Sequence, residues 1–255
     1  MTALDPTYPL LVLAIGLIYL LDGLVLLYVN EAVVEANGDV WRVQFGTRQT
    51  WIRGRRIHLL NPFAPLQRCY RASWRVDDAR TGGTAREEGA PPLPAGAPDT
   101  RLLDPWVRTT ALVVLVLLPL GILFWGALGV LAGFALAWVS AAALVVRFAR
   151  LSKGIGIGRG DFILLAFECI ACPPCAINLV RKLSLRVQVG EDLVAFLQGS
   201  TPEDACRAWS RIREDVDARL AGMDEDDPAH ARTVRYRALL DEHLAGLAEG
   251  AGGSA

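Results

Sequence analysis

The sequence predicts an α+β membrane protein: three transmembrane helices and a bent re-entrant or interfacial helix, a small cytoplasmic antiparallel β module and a C-terminal helical hairpin. Three observations predict it. Apolar runs at 9–29 and 109–146 are long enough to cross a bilayer. Apolar and polar residues alternate with period two through 39–75. Apolar stripes of helical period return after 201. The bulk composition agrees, with 53% hydrophobic residues among 255 and a net charge of -1. That is too apolar for one soluble domain and too polar for a chain lying wholly in lipid.

Residues 1–29 read as an N-terminal anchor, because "PLLVLAIGLIYLLDGLVLLYV" is uncharged apart from Asp22. A cleaved signal would begin with basic residues, whereas "MTALDPTY" has none and carries Asp5. A carboxylate within a span is costly, so Asp22 predicts either a functional role or a specific partner. Arg147 and Arg150 are the expected partners, since long side chains reach back into the bilayer.

Residues 30–76 read as a small basic β module. "DVWRVQFG", "RQTWIRG" and "RRIHLLNP" predict a three-strand meander broken at Gly46 and Gly54, and "CYRASWRV" a fourth strand. Arg42, Arg48, Arg53, Arg55, Arg56, Arg68, Arg71 and Arg75 fall between Trp41 and Val76 with no acidic residue, which predicts a basic surface. No nucleic-acid motif accompanies them, so anionic lipid is the expected partner, at about 1 kcal/mol per basic residue. Residues 77–104 are rich in Gly and Pro and read as a flexible linker.

Residues 105–149 read as a transmembrane hairpin. No charge lies between Arg108 and Arg147. A single helix over that stretch would run about 57 Å, nearly twice the hydrocarbon thickness. It must therefore turn, near Trp125 and Gly126, with Asp104 as N-cap before Pro105. Gly129, Gly133, Ala137 and Ala141 form a stripe of small residues suited to close helix packing, within the hairpin or in a homo-oligomer. Basic residues flank the hairpin and not the N-terminus. The expected topology is an external N-terminus with the main polar modules cytoplasmic.

Residues 150–188 hold a Gly-rich loop, "KGIGIGRGD", and the segment "DFILLAFECIACPPCAINLVRK". Basic residues at both ends and Pro173–Pro174 in the middle predict a bent re-entrant or interfacial helix pair rather than a span. Cys169, Cys172 and Cys175 open a metal-ligand pattern for zinc, copper or an iron–sulfur cluster, but lack a nearby fourth ligand; Cys69 and Cys206 are distant in sequence. "CPPC" also resembles a redox pair without its usual fold context. Inert packing or lipidation is the expected role of these cysteines, with metal binding and then thiol redox as the alternatives. Glu168 beside them invites the same question as Asp22.

Residues 189–248 read as an acidic helical hairpin. Thr201 with Pro202, and Asp227 with Pro228, are start signals. Ala205, Trp209, Ile212, Val216 and Leu220 form the first stripe; Tyr236, Leu239, Leu240, His243, Leu244 and Leu247 form the second. Fourteen acidic residues against seven arginines after 188 give this region a charge opposite to that of the β module. Residues 249–255 read as a disordered tail. His58, His230 and His243 are scattered, with no nucleophile nearby in the pattern, so no hydrolase triad is predicted.

The expected function is that of a bacterial-type inner-membrane anchor, scaffold or assembly factor. Its cytoplasmic modules would bind a partner protein or anionic lipid, with no resident cofactor. The alternative is a membrane metal-binding or thiol-redox component centred on the three clustered cysteines. A lipid-modifying enzyme comes third, since no catalytic constellation supports it.

Overall fold

The computed structural model describes residues 5–37, 40–47, 51–53, 55–74, 100–155, 157–186, 193, 197, 202–224 and 226–252. The chain is α+β and divides into two compact units, each assembled from three separate stretches. The first comprises 1–25, 59–69 and 96–187; the second comprises 26–58, 70–95 and 188–255. The expected linker at 77–104 lies mostly outside the described residues.

The first unit begins with helix α1, Thr7–Asp22. Its 16 residues are fewer than the run over 9–29 suggests. The helix ends because Gly23 closes it, its N–H reaching the Leu20 carbonyl at 3.1 Å, and Leu24–Leu27 leaves as strand β1. The expected continuous anchor to Val29 is therefore corrected. Hydropathy cannot separate "LLDG" at a helix end from "LVLL" in a strand.

A 3₁₀ turn, Arg101–Leu103, leads into α2, Asp104–Leu112, which continues through a π-helical turn, Val113–Leu117, into α3, Leu118–Trp125. Asp104 is thus the first helical residue and not the cap. Pro119 lacks an N–H and its ring crowds the carbonyl four residues earlier; the widened turn before it accommodates both. Gly126, at φ +53°, reverses the chain into α4, Ala127–Ile155, so the hairpin turns at the position the apolar run predicts. A side chain at Gly129 would lie 1.8 Å from the Gly121 carbonyl oxygen, and one at Gly133 2.5 Å from Leu118 Cδ1. Ala137 and Ala141 are fully buried. The small-residue stripe is where the arms of this hairpin and their neighbours approach closely.

Two helices, Arg101–Trp125 and Ala127–Ser152, are long and apolar enough to cross a membrane. Only 22% of the most apolar window of the second is buried, the reverse of a soluble core helix. Phe124, Trp125, Leu128, Leu131 and Val139 all lie largely exposed.

Helices α5, Arg159–Ala171, α6, Pro173–Ala176, and α7, Leu179–Leu185, complete this unit. The bend falls at Cys172, whose extended φ of -141° is what a residue before proline adopts. Leu103, Val107, Leu144, Phe148, Leu165 and Val180 pack into one core; Ile15, Tyr19, Val114, Leu118, Ile122 and Ile177 form another.

Among the described residues, the second unit holds most of two three-stranded sheets and two long C-terminal helices. The remaining strands are β2, Glu31–Asn37, β3, Val40–Gln44, β4, Trp51–Ile52, β5, Arg55–Leu59, and β6, Arg68–Ser73. The sheet orders are β1-β5-β4 and β3-β2-β6. The expected meander is therefore split: β3 pairs antiparallel with β2, closing at Asn37–Val40, while β4 pairs with β5. Strand β2 buries Ala32, Val33 and Val34 on successive positions, so it carries no alternation to read. Gly46 must be glycine, since a Cβ there would sit 2.6 Å from that of Arg56.

Helices α8, Pro202–Leu220, and α9, Pro228–Gly252, follow the predicted stripes, with Ala205, Trp209, Ile212, Val216, Tyr236 and Leu240 buried. Asp227 caps α9, accepting the Ala229 N–H at 2.7 Å. The Thr201 cap lies outside the described residues.

Candidate functional site

The first unit brings Asp22, Glu168, Arg181 and Lys182 together near the end of α1 and the start of α7. Asp22 is the last residue of α1, and its carboxylate receives two donors, one from Asn178 at the N-cap of α7 and one from Lys182 within it. Asn178 Nδ2 donates to Oδ2 at 2.9 Å, and Lys182 Nζ donates to Oδ1 at 2.6 Å. Lys182 also donates to Glu168 Oε2 on α5 at 2.8 Å, so one ammonium bridges two carboxylates. The expected pairing of Asp22 with Arg147 or Arg150 is corrected to this one. Asn178 and Lys182 stand four apart and so project from one face of the helix.

Arg181 extends the network in the opposite direction. It is 1% exposed, and three of its N–H directions are taken. Nη1 donates to Asn178 Oδ1 at 3.0 Å, Nε to the Ala64 carbonyl at 3.2 Å, and Nη2 to the Asn61 carbonyl. Asn61 and Ala64 belong to a tight turn in which Ala64 N–H donates to the Asn61 carbonyl at 3.1 Å. Tyr19 Oη donates to the Pro62 carbonyl of the same turn at 2.5 Å. A buried guanidinium is tolerated only when so satisfied. Burial opposes the Lys182 charge, but the hydrogen bonds and charges of Asp22 and Glu168 outweigh it, and its pKa is raised.

The cysteines sit beside these charges. Cys169 is buried, and its thiol is pushed up to about 12, chiefly by desolvation; Lys182 works the other way. Cys172 and Cys175 are each partly exposed, and Cys175 Sγ donates to Cys172 Sγ at 2.8 Å. All five cysteines, Cys69 and Cys206 included, are free thiols. Among the described residues no group of three or more His, Cys, Asp or Glu side chains gathers as a metal-ligating set.

The arginines of the β segment do not share one surface. Arg56 is 4% exposed and donates through both terminal nitrogens to Asp215, at 2.6 and 2.7 Å, so it is corrected from a surface residue to a buried one. Arg55 stacks over Tyr28 with its guanidinium carbon 4.3 Å from the ring centroid, and Arg71 reaches Glu31 at 3.5 Å. Arg68 donates to Thr100 Oγ1 at 3.1 Å and lies 3.9 Å from Asp104. Arg42 and Arg53 are exposed; Arg48 and Arg75 lie outside the described residues.

A groove of about 590 Å³ in the second unit is lined by Arg42, Phe45, Arg207 and Arg211 with Asp204 and Glu214. Nearby, Trp209 stacks on His243 at 4.9 Å within the helical hairpin, and Trp74 stacks on Tyr236 at 5.7 Å.

No family model, curated protein or solved structure matches the chain. Its own geometry must carry the functional reading.

Sequence reasoning singled out Asp22 and the cysteines but missed Asn178, Arg181 and Lys182. The two basic residues read only as flanking charges that orient a helix. Their spacing from Asn178, at three and four, was the available signal that one helix face is polar.

Proposed function

We propose that the protein is a bacterial-type inner-membrane anchor that holds a cytoplasmic binding platform for a partner protein. The observation that carries this reading is the exposure of the hairpin. An apolar 26-residue helix with most of its surface unburied favours a non-aqueous surround. The hairpin would insert with Arg108 and Arg147 on the cytoplasmic side and Trp125–Gly126 at the far end. Helix α1 would serve as a third, shorter membrane element; its 16 residues measure about 24 Å, a mismatch a bilayer absorbs at modest cost. Twelve arginines between residues 30 and 108 support a cytoplasmic side for the polar segments and an external N-terminus.

The groove beside Arg42 supports the platform role. It mixes both signs of charge with the Phe45 ring, a surface suited to a polar peptide segment rather than to a uniformly anionic headgroup layer. The test has two arms. A reporter fused after residue 190 should read cytoplasmic, and the chain should stay in membranes after alkaline extraction. A photo-crosslinker at position 42 should capture a discrete protein in cells. A periplasmic reporter, release by alkali, or adducts to lipid alone would each overturn the proposal.

A further inference from the structure

Cys172 and Cys175 have a geometry that anchoring does not use. Their sulfurs lie 2.8 Å apart, within about 0.8 Å of a bonded S–S distance. The backbone at both residues is already fixed: Cys172 N–H donates to the Glu168 carbonyl at 3.0 Å, and Cys175 N–H to the Cys172 carbonyl at 2.8 Å. Between them Pro173 and Pro174 are both buried, and their rings restrict φ. The pair therefore needs little further ordering to close, the main entropic obstacle to joining two residues. Both thiols are partly exposed, so a reagent can reach them, whereas Cys169 is buried.

We propose that Cys172 and Cys175 form a thiol–disulfide exchange site that closes to an intramolecular disulfide by reaction with a disulfide-bearing substrate, Cys172 attacking and Cys175 resolving. The roles follow from the hydrogen bond. Cys175 is the donor to Cys172 Sγ, so it holds its proton against the sulfur that it attacks in the second step. Burial, the largest influence on Cys175, raises its pKa and keeps it protonated until the second step.

The steps balance. Cys172 loses its proton to solvent and its sulfur attacks one sulfur of R–S–S–R, forming a Cys172–S–S–R bond as the substrate bond breaks and one thiolate leaves. Cys175, losing its proton in turn, attacks Cys172 Sγ; the Cys172–Cys175 bond forms and the second R–S⁻ departs. The two protons end on two R–SH molecules. The substrate disulfide is reduced by two electrons and the cysteine pair is oxidised by two.

The test uses the full chain in detergent, equilibrated in glutathione buffers from fully reduced to strongly oxidising, acid-quenched and counted for free thiols by alkylation mass. The wild type should lose two of its five thiols to a bridge that adds no glutathione mass, any adduct on the exposed Cys206 being counted separately. Cys169, Cys172 and Cys175 share one tryptic peptide, residues 160–181, so variants make the assignment. Cys169→Ala should lose two thiols as the wild type does. Cys175→Ser should accumulate a glutathione adduct on Cys172, and Cys172→Ser should form no internal bridge. With reduced chain and insulin as a protein disulfide, two insulin thiols per chain should appear if the site accepts macromolecules; reaction with glutathione alone restricts it to small disulfides. Absence of that bridge from the wild type at every ratio, or loss of closure in Cys169→Ala, would overturn the proposal. The wild-type count stands even if a serine variant fails to fold.

Discussion

Replacing Asp215 by alanine should be among the most damaging single substitutions in the second unit. Asp215 and Arg56 are 3% and 4% exposed, and two hydrogen bonds of 2.6 and 2.7 Å join them across 159 residues of sequence. Truncating one partner of such a pair leaves a buried charge without its counter-ion, which costs about 3–5 kcal/mol. The lower end applies because Arg56 has a further interaction besides Asp215, so about 3 kcal/mol is expected. For a chain of this size that corresponds to a fall of about 6–12 °C in Tm. Thermal unfolding of the detergent-solubilised chain, followed by near-ultraviolet circular dichroism of its buried tryptophans, reads the change. The double variant Arg56→Met with Asp215→Leu removes both charges and should recover most of the loss, because apolar replacements of matched volume often equal a buried ion pair. A shift below about 2 °C for Asp215→Ala, or a double variant as unstable as the single one, would refute the assignment of this pair as a buried tie.

Three further outcomes follow from the first unit. Lys182→Met leaves Asp22 and Glu168 facing each other without the ammonium and should cost about 2 kcal/mol; adding Asp22→Asn should restore part of it, measured by the same unfolding assay. Because the Lys182 pKa is raised in the folded chain, its contribution is complete below the unfolded value of about 10.5 and disappears as pH rises through the folded value. An alkaline series should therefore destabilise the wild type more steeply above about pH 10.5 than Lys182→Met. Gly129→Val should lower membrane abundance and cost about 1–3 kcal/mol by forcing the Gly121 backbone away, whereas Gly154→Ala, with open space around it, should be neutral or stabilising by up to about 1 kcal/mol.

What could be read in the sequence depended on whether a residue's neighbours lie close along the chain. The hairpin turn at Gly126 was legible because an uncharged stretch twice the membrane thickness must reverse. The stripes of α8 and α9 were legible because one helix face is buried and the other wet. Strand β2 was not, since Ala32, Val33 and Val34 are all buried and leave no alternation. Strand β1 was hidden inside an apolar run where helix and strand look alike to hydropathy. In the site, Asp22 stood out because a carboxylate within an apolar run is costly, but its partners Asn178 and Lys182 lie more than 150 residues away. Composition showed opposite charge in the β segment and the C-terminal helices. It could not show that Arg56 would meet Asp215.

The interleaving of the two units has a consequence for synthesis. Each unit draws on three stretches of chain, so neither is complete when the ribosome has passed only one. Arg56 emerges 159 residues before Asp215, a wait of about 8–30 s at ordinary elongation rates. During that interval the apolar hairpin must also leave the ribosome and find its own environment. The nascent β strands therefore meet water with an arginine meant for burial still unpaired, and they cannot settle until the last quarter of the chain arrives. A stop codon anywhere before α8 would strand them permanently, so truncated products should be cleared by proteolysis rather than persist as a free N-terminal fragment.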